Sequence, residues 1–262
     1  MDYTIRYACL CDTGRIRKNN EDNLICLGKY FDPDSTELRA PMSGSRDAAE
    51  GPVFGVFDGM GGEEQGEVAS HIAAQTAADF AFAGPQTLDG FCREANRRIC
   101  AYAAANGVST MGTTAALIQF GEAGVAACNL GDSPIFHWRD GTLRQISKDH
   151  VMPVPGPRKP PLVQYLGIPE TEMRLEPTIT VNPAEPGDRY LICSDGLSDM
   201  VGTDVIAEAL REEDVAAVGQ RLMDMALEAG GRDNVTIILC AIDAKPVTVG
   251  QRLKRFLKGL FA

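Results

Sequence analysis

Four short apolar runs follow one another between residues 113 and 146 with very little chain between them: "TTAALIQF" (113–120), "GVAACNL" (124–130), "PIFHW" (134–138) and "LRQI" (143–146). "FGEAG" and "RDG" mark tight turns between them. Parallel neighbours need a crossover of a dozen or more residues, so this run predicts antiparallel sheet. Further strands are predicted at "TIRYACL" (4–10), "NLICLGKY" (23–30), "VFGVFDGMGG" (53–62), "PTITV" (177–181), "DRYLIC" (188–193) and "NVTIILCAI" (234–242). Residues 32–51 are polar, carry Pro33, Pro41, Gly44 and Gly51, and read as a long hairpin loop. Helices are predicted over 63–83 and about 87–105, then over about 203–211 and 212–229. Strands followed by helix pairs, twice over, predict an α+β fold: two antiparallel β-sheets packed together with helix pairs outside, a four-layer α-β-β-α sandwich.

One segment fits no regular element. Seven prolines between 153 and 177 remove backbone donors, so an extended flap, about 148–177, is expected there. One domain is set at 1–245, including that flap, and a separate tail at 246–262. In the tail Val249, Leu253, Phe256, Leu257, Leu260 and Phe261 form one helical stripe beside basic Arg252, Lys254, Arg255 and Lys258. That pattern suits packing on the body itself, on a partner, or on an acidic membrane surface.

Charge limits the partners. Asp and Glu number 36 against 25 Lys and Arg, a formal charge of −11. Nucleic acid is disfavoured, because phosphate backbones are held by clustered Lys and Arg. The N-terminus does not read as a signal peptide, and no stretch is long and apolar enough to span a membrane. The eight cysteines are scattered without a C-x-x-C pair, which reads as reduced thiols in a cytoplasmic protein.

The chemistry lies at strand ends. Asp58 ends the apolar run "VFGVFD", and Asp195 follows "YLICS". Asp132 follows "ACNLG", Asp233 precedes "NVTIIL", and Glu21 and Asp22 stand before "NLICL". Any one of these could simply punctuate a strand. In one sandwich, however, their ends can meet at one edge. Two carboxylates about 4 Å apart repel by about 4 kcal/mol at an effective dielectric near 20. Divalent cations reverse that sign, and all-oxygen ligation suits Mg²⁺ or Mn²⁺ rather than zinc. Asp58 is the best candidate to bridge two ions, with the Gly59 carbonyl as a further ligand and Gly61 and Gly62 turning the chain. Two ions about 3.5–4 Å apart can acidify a shared water and aim it at phosphorus.

At this point the residues resemble the type 2C, metal-dependent protein serine/threonine phosphatases, in their bacterial form. The motifs run in the family's order: "GRIRKNNEDN" (14–23), "VFDGMGG" (56–62), "MGTTAAL" (111–117), "NLGDSPIF" (129–136), "SKDH" (147–150), "LICSDGLSDMV" (191–201) and "GRDNVTIIL" (231–239). The resemblance implies hydrolysis of phosphoserine and phosphothreonine in proteins, with a serine/threonine kinase as counterpart. It implies two Mn²⁺ or Mg²⁺ ions and allows a third. Asp58 would bridge the pair, Asp195 and Asp233 would complete one ion's ligands, and Glu21 and the Gly59 carbonyl would serve the other. Asp132, with Asp195, matches the third-ion position. Asp22 would hold ion-bound water, Asn234 would orient Asp233, and Arg17 would grip the substrate phosphate. Some members carry a histidine two residues after the bridging acid as proton donor; here Met60 stands there and cannot donate. The competing readings are a non-catalytic phosphoprotein-binding module of the same fold and a phosphatase of a small phosphorylated metabolite. The three histidines are expected to be ordinary structural residues, with His150, at the base of the flap, the only one given any chance of approaching substrate. Thr113 and Thr114 are expected in the core beneath the site.

Overall fold

The structure, a computed structural model, describes residues 3–32, 37–38, 40–60, 65–154 and 159–245. The turn expected at Gly61 and Gly62 and the whole of the 246–262 tail lie outside the described residues.

Two antiparallel sheets form the centre. The first contains β1 (Tyr3–Asp12), β3 (Met42–Asp47), β8 (Ile135–Arg139), β9 (Thr142–Gln145), β11 (Arg189–Cys193) and β12 (Val235–Ala244), in the order β3-β1-β12-β11-β8-β9. The second contains β2 (Asp22–Cys26), β4 (Val53–Met60), β6 (Ala115–Gly121), β7 (Gly124–Leu130) and β10 (Thr178–Asn182), in the order β10-β7-β6-β4-β2. A two-residue strand, β5 (Gly112–Thr113), pairs with the end of β4. The predicted turns are where the sequence puts them. Gly121 pairs with Gly124, and Asp140 and Gly141 both take positive φ, 50° and 80°, between β8 and β9.

Helices α1 (Gly66–Asp79) and α2 (Leu88–Asn106) cover the second sheet; α4 (Thr203–Ala209) and α5 (Val215–Glu228) cover the first. In α1 the alanines 69, 73 and 77 recur at four-residue spacing and are buried, which lets the helix lie close on β2 and β4. Asp214 caps α5 by accepting from the amides of Ala216 and Ala217 at 2.9 and 3.2 Å.

Three apolar layers follow from strand alternation. Ile5, Tyr7, Cys9, Phe54, Val56, Ile118, Ile192 and Ile238 meet between the sheets. Phe57, Leu117 and Cys128 face α1 and α2, while Leu10, Leu191 and Leu239 face α4 and α5. The four-layer sandwich is therefore as the sequence implies.

Three local readings change. The 32–51 segment is not only loop: "MSGSRD" forms β3, an edge strand held to β1 by backbone pairing from Thr4↔Asp47 to Cys9↔Met42. The second strand stops at Cys26 rather than running to Tyr30, because Leu27 (φ 54°) and Gly28 (φ 79°) turn the chain. A one-turn helix, α3 (Asp195–Ser198), follows β11 directly.

Candidate metal centre

Period-two alternation explains why a buried strand delivers an acid. Phe54 and Val56 of β4 point between the sheets, so Asp58 continues that inner row at its open end. Leu24 and Cys26 place Asp22 of β2 in the same way, and the register sets Asp22 directly opposite Asp58. Ile238 and Cys240 bring Thr236 to the same mouth from the other sheet, and Tyr190 and Ile192 bring Ser194. The inter-sheet core thus ends in polar side chains at one end of the sandwich.

Asp58 is fixed by its backbone. Its N–H donates to Thr114 Oγ1 at 3.0 Å, and its carbonyl accepts from Thr113 Oγ1 at 3.0 Å and from the Thr114 N–H at 2.9 Å. Thr113 and Thr114 are buried beneath the site as expected, and they clamp the strand end that carries the acid. At Gly59 a Cβ would lie 2.4 Å from the carbonyl oxygens of Glu21 and Gly66, so only glycine fits that crossing.

Asp22 is almost completely buried, at 1 % exposure. Its Oδ2 accepts from Ser194 Oγ at 2.7 Å and Thr236 Oγ1 at 2.6 Å. Burial pushes its carboxyl up to about 6, although the Thr236 and Ser194 hydrogen bonds pull the other way. Asp58 keeps partial contact with solvent, yet desolvation and the neighbouring Asp22 push its carboxyl well above the usual range. Asp132 and Asp233 add to that rise, and Lys159 opposes it. Burial also raises Glu21, against the pull of Arg17. The acids predicted at strand ends are therefore electrostatic neighbours, and the inner ones lack enough positive charge.

Two side-chain cations sit on the outer acids. Arg17 Nη2 donates to Asp233 Oδ2 at 2.7 Å, with both side chains well exposed. Lys159 Nζ contacts the Asp195 carboxylate and lies 3.5 Å from Asp132 Oδ2. Among the described residues, no three His, Cys, Asp or Glu side chains already close on one point as a finished ion cage. The donor set still fits hard cations: it is all oxygen, and its central carboxylates are pushed toward neutrality by mutual repulsion and burial.

One expected role changes. The Asn234 side chain does not orient Asp233. Its Oδ1 accepts from the Glu21 N–H at 2.8 Å, and its Nδ2 donates to the carbonyls of Thr13 and Asn19 at 2.8 and 2.9 Å. It therefore ties down the loop carrying Arg17 and Glu21, while its backbone N–H donates to Asp233 Oδ1 at 2.9 Å. His150 does not reach toward substrate. Its Nδ1 accepts from the Gly131 N–H at 3.2 Å, and its Nε2 meets Thr178 Oγ1 at 3.1 Å. His71 Nδ1 meets the Phe31 carbonyl at 2.9 Å, and His137 stacks on Tyr190 at 4.8 Å, both structural as expected.

Sequence reading missed Thr236, Ser194 as a donor to Asp22, Asp199 and Lys159. Thr236 and Ser194 could have been found from strand parity. Asp199 lies four residues after Asp195 in "SDGLSD"; burial raises its carboxyl, and it too interacts with Lys159. Lys159 stands among the prolines of the flap, where no pattern signals direction.

Residues 42–240 match the family model described as Protein phosphatase 2C. The chain belongs to the protein phosphatase 2C family. It is 33 % identical over 258 residues to the serine/threonine protein phosphatase PstP of Mycobacterium tuberculosis, covering 91 % of this chain. It spans about half the length of that relative, 45 %. It is 29 % identical to the serine/threonine phosphatase stp of Listeria welshimeri, covering 87 % of this chain and 92 % of that one. Among solved structures, the catalytic domain of PstP in complex with two manganese ions superposes with a TM-score of 0.73 at 33 % identity. That comparison covers 92 % of this chain and 99 % of the other. The protein phosphatase 2C fold thus accounts for the body of the chain, including both sheets.

Proposed function

We propose that this family member is a protein phosphatase that hydrolyses phosphoserine and phosphothreonine in phosphorylated proteins. The observation that carries the reading is the facing pair Asp22 and Asp58 at the open end of the inter-sheet core, with Asp132 and Asp233 within electrostatic reach. Asp58, Gly59, Glu21, Asp195 and Asp233 would hold two Mn²⁺ or Mg²⁺ ions, with Asp132 and Asp195 available to a third. When bound, such ions supply Lewis-acid charge and lower the pKa of the water that attacks phosphorus. Asp22, whose Oδ2 is held by Ser194 and Thr236, would offer its remaining acceptor capacity to ion-bound water. Arg17 is half exposed and can swing from Asp233 to a substrate phosphate, whose oxygens match its planar fork. Asn234 sets where Arg17 and Glu21 stand by fixing the backbone between them. Met60 offers no proton, so this side chain cannot protonate the leaving alkoxide. No side-chain nucleophile is needed: Ser133 is engaged with Thr114 at 2.7 Å and Ser194 with Asp22.

The test is hydrolysis of p-nitrophenyl phosphate and of phosphoserine and phosphothreonine peptides, with Mn²⁺ and after chelation. Mn²⁺-dependent turnover of the peptides supports the reading. Absence of turnover with retained peptide binding favours the non-catalytic module, and preference for small phosphorylated metabolites favours the third reading.

We further infer a cytoplasmic setting, with a serine/threonine kinase supplying the substrates. All eight cysteines are free thiols, and seven are buried. Among the described residues, no helix is long and apolar enough to cross a membrane. β12 ends at the end of the sandwich remote from the acid mouth, where Lys245 pairs with Asp47 at 2.7 Å. The basic, amphipathic pattern of 246–262 suits docking on a partner or a membrane surface. Co-sedimentation with anionic vesicles, with and without residues 246–262, tests this.

A further inference from the structure

The flap returns a cation to the acid cluster. Its two limbs are zipped together: the Met152 N–H donates to the Pro161 carbonyl at 2.9 Å, and the Val163 N–H to the His150 carbonyl at 2.8 Å. Val151 bridges Leu162 between them. The base is hooked to the end of β7, where the His150 N–H donates to the Gly131 carbonyl at 2.9 Å and the Gly131 N–H donates back to His150 Nδ1. Gly131 adjoins Asp132, so the hook and the target of the flap share one strand end. From this hairpin Lys159 reaches over to contact Asp195 and lie 3.5 Å from Asp132. Its charge also acts on Asp58 and Asp199. The two carboxylate side chains are nearly buried, at 11 % and 8 %, whereas the lysine is 55 % exposed. An ammonium on a flexible stem that is half in solvent can leave without disturbing the core.

We propose that Lys159 is a tethered counter-cation for the Asp132–Asp195 pair. It fills the space that a further divalent ion needs, so an ion binding there displaces the lysine from the two carboxylates. This rests on the reading of the mouth as a divalent-cation site. Ion number and lysine position are then linked, and each biases the other by the same factor. The residue that sets retention of the additional ion is a flap lysine, not only the acids beneath it.

The test is a Mn²⁺ titration by calorimetry on the full chain, comparing wild type with Lys159→Met and Lys159→Arg. In the Met variant the weakest ion binds roughly tenfold tighter, a modest gain because the exposed lysine is screened. The tighter ions change less than twofold, and the Arg variant behaves as wild type. In parallel, an amine-reactive reagent read by mass spectrometry labels Lys159 of the wild-type protein. Its labelling rises over the Mn²⁺ range that fills the weakest site. Equal or weaker binding of that ion in the Met variant overturns the proposal, as does labelling indifferent to Mn²⁺ or the absence of a further ion in both proteins. Loss of the tight ions and of p-nitrophenyl phosphate hydrolysis in all three proteins would instead remove the cation-site reading beneath it.

Discussion

The two ends of the sandwich use the same side chain in opposite ways. At the end remote from the mouth, carboxylates meet arginines and lysines. Asp188 is 1 % exposed and is held by Arg139 Nη2 at 2.6 Å, and Asp243 is held by Arg6 Nε at 2.6 Å. Burial alone would raise Asp188, but Arg139, His137 and the Glu185 N–H bring its carboxyl down to about 2. At the mouth, Asp22 is buried to the same degree, yet its partners are two neutral hydroxyls and its neighbours are acids, so it rises to about 6. The strands are shared: β11 (Arg189–Cys193) lies between Asp188 and Ser194, and β12 (Val235–Ala244) begins just after Asp233 and carries Asp243. Equal surface exposure does not make the ends alike: the fuller desolvation of Asp22 raises its carboxyl, and the supply of positive charge at Asp188 lowers that one. One end carries its own cations, and the other is short of them, which is the condition under which divalent ions bind with advantage.

The largest break in that contrast is Asp58→Asn. It removes the central carboxylate without removing bulk. Mn²⁺-dependent hydrolysis of p-nitrophenyl phosphate should fall roughly 10³-fold, the scale for losing one preorganised electrostatic contributor. The metal-free fold should not weaken, because a carboxyl that burial already disfavours is replaced by a neutral group. Retained hydrolysis would detach Asp58 from the chemistry.

The opposite outcome is expected at the other end. Arg139→Ala leaves Asp188 buried without its main partner. Urea unfolding should show a loss of about 3 kcal/mol, toward the low side for a broken buried pair because the guanidinium is one-third exposed. Turnover per folded molecule should be unchanged. A stability loss below about 1 kcal/mol would mean that His137 and the Glu185 amide suffice.

The third comparison is of pH dependence, in metal-stripped protein. The Asp22 carboxyl sits at about 6 in the fold against an ordinary 3.8. Between those values the folded state holds a proton that the unfolded chain has lost. Stability therefore falls as pH rises from about 4 to 6, by on the order of 3 kcal/mol. Asp22→Asn keeps an oxygen for Ser194 and Thr236 but does not ionise. The metal-free variant should be more stable than wild type at pH 7, and the two should converge near pH 4. Asp188 has the reverse sign: its contribution is present above about pH 4 and lost as pH falls toward 2. A constant gap between wild type and Asp22→Asn across this range would refute the mouth's electrostatics.

How far the sequence could lead depended on whether side-chain pattern or tertiary placement carried the information. The acids at strand ends were legible, because an alternating strand fixes which face its last residue shares, and Phe54 and Val56 announce that face. The helix pairs and tight turns were legible for the same local reason. β3 was not, because "MSGSRD" has no apolar alternation; it is a strand only through the backbone bonds that β1 offers it. The role of Asn234 depends on how the 13–21 loop folds back on β12, a contact more than 200 residues apart in the chain. Lys159 was invisible for a similar reason: proline content reports that no helix forms, not where an extended flap directs a charged side chain.

Arg17 should give the smallest effect, and it sharpens the contrast because it is the mouth's counterpart to Arg139. It too holds an aspartate, Asp233, at 2.7 Å, but the side chains are 47 % and 36 % exposed. An ion pair that open contributes little to stability, so Arg17→Ala should unfold within about 0.5 kcal/mol of wild type. Its effect should appear in substrate handling. Loss of a planar phosphate grip should raise KM for phosphopeptides by about tenfold, with kcat lowered less. Arg17→Lys should restore little, since a point charge cannot engage two phosphate oxygens in one plane. The same residue type would then have been shown to act on stability at the end where its partner is buried, and on substrate at the end where its partner is open. If Arg17→Ala instead cost as much stability as Arg139→Ala and left KM alone, Arg17 would be a structural cation, and the two ends would differ in degree rather than in purpose.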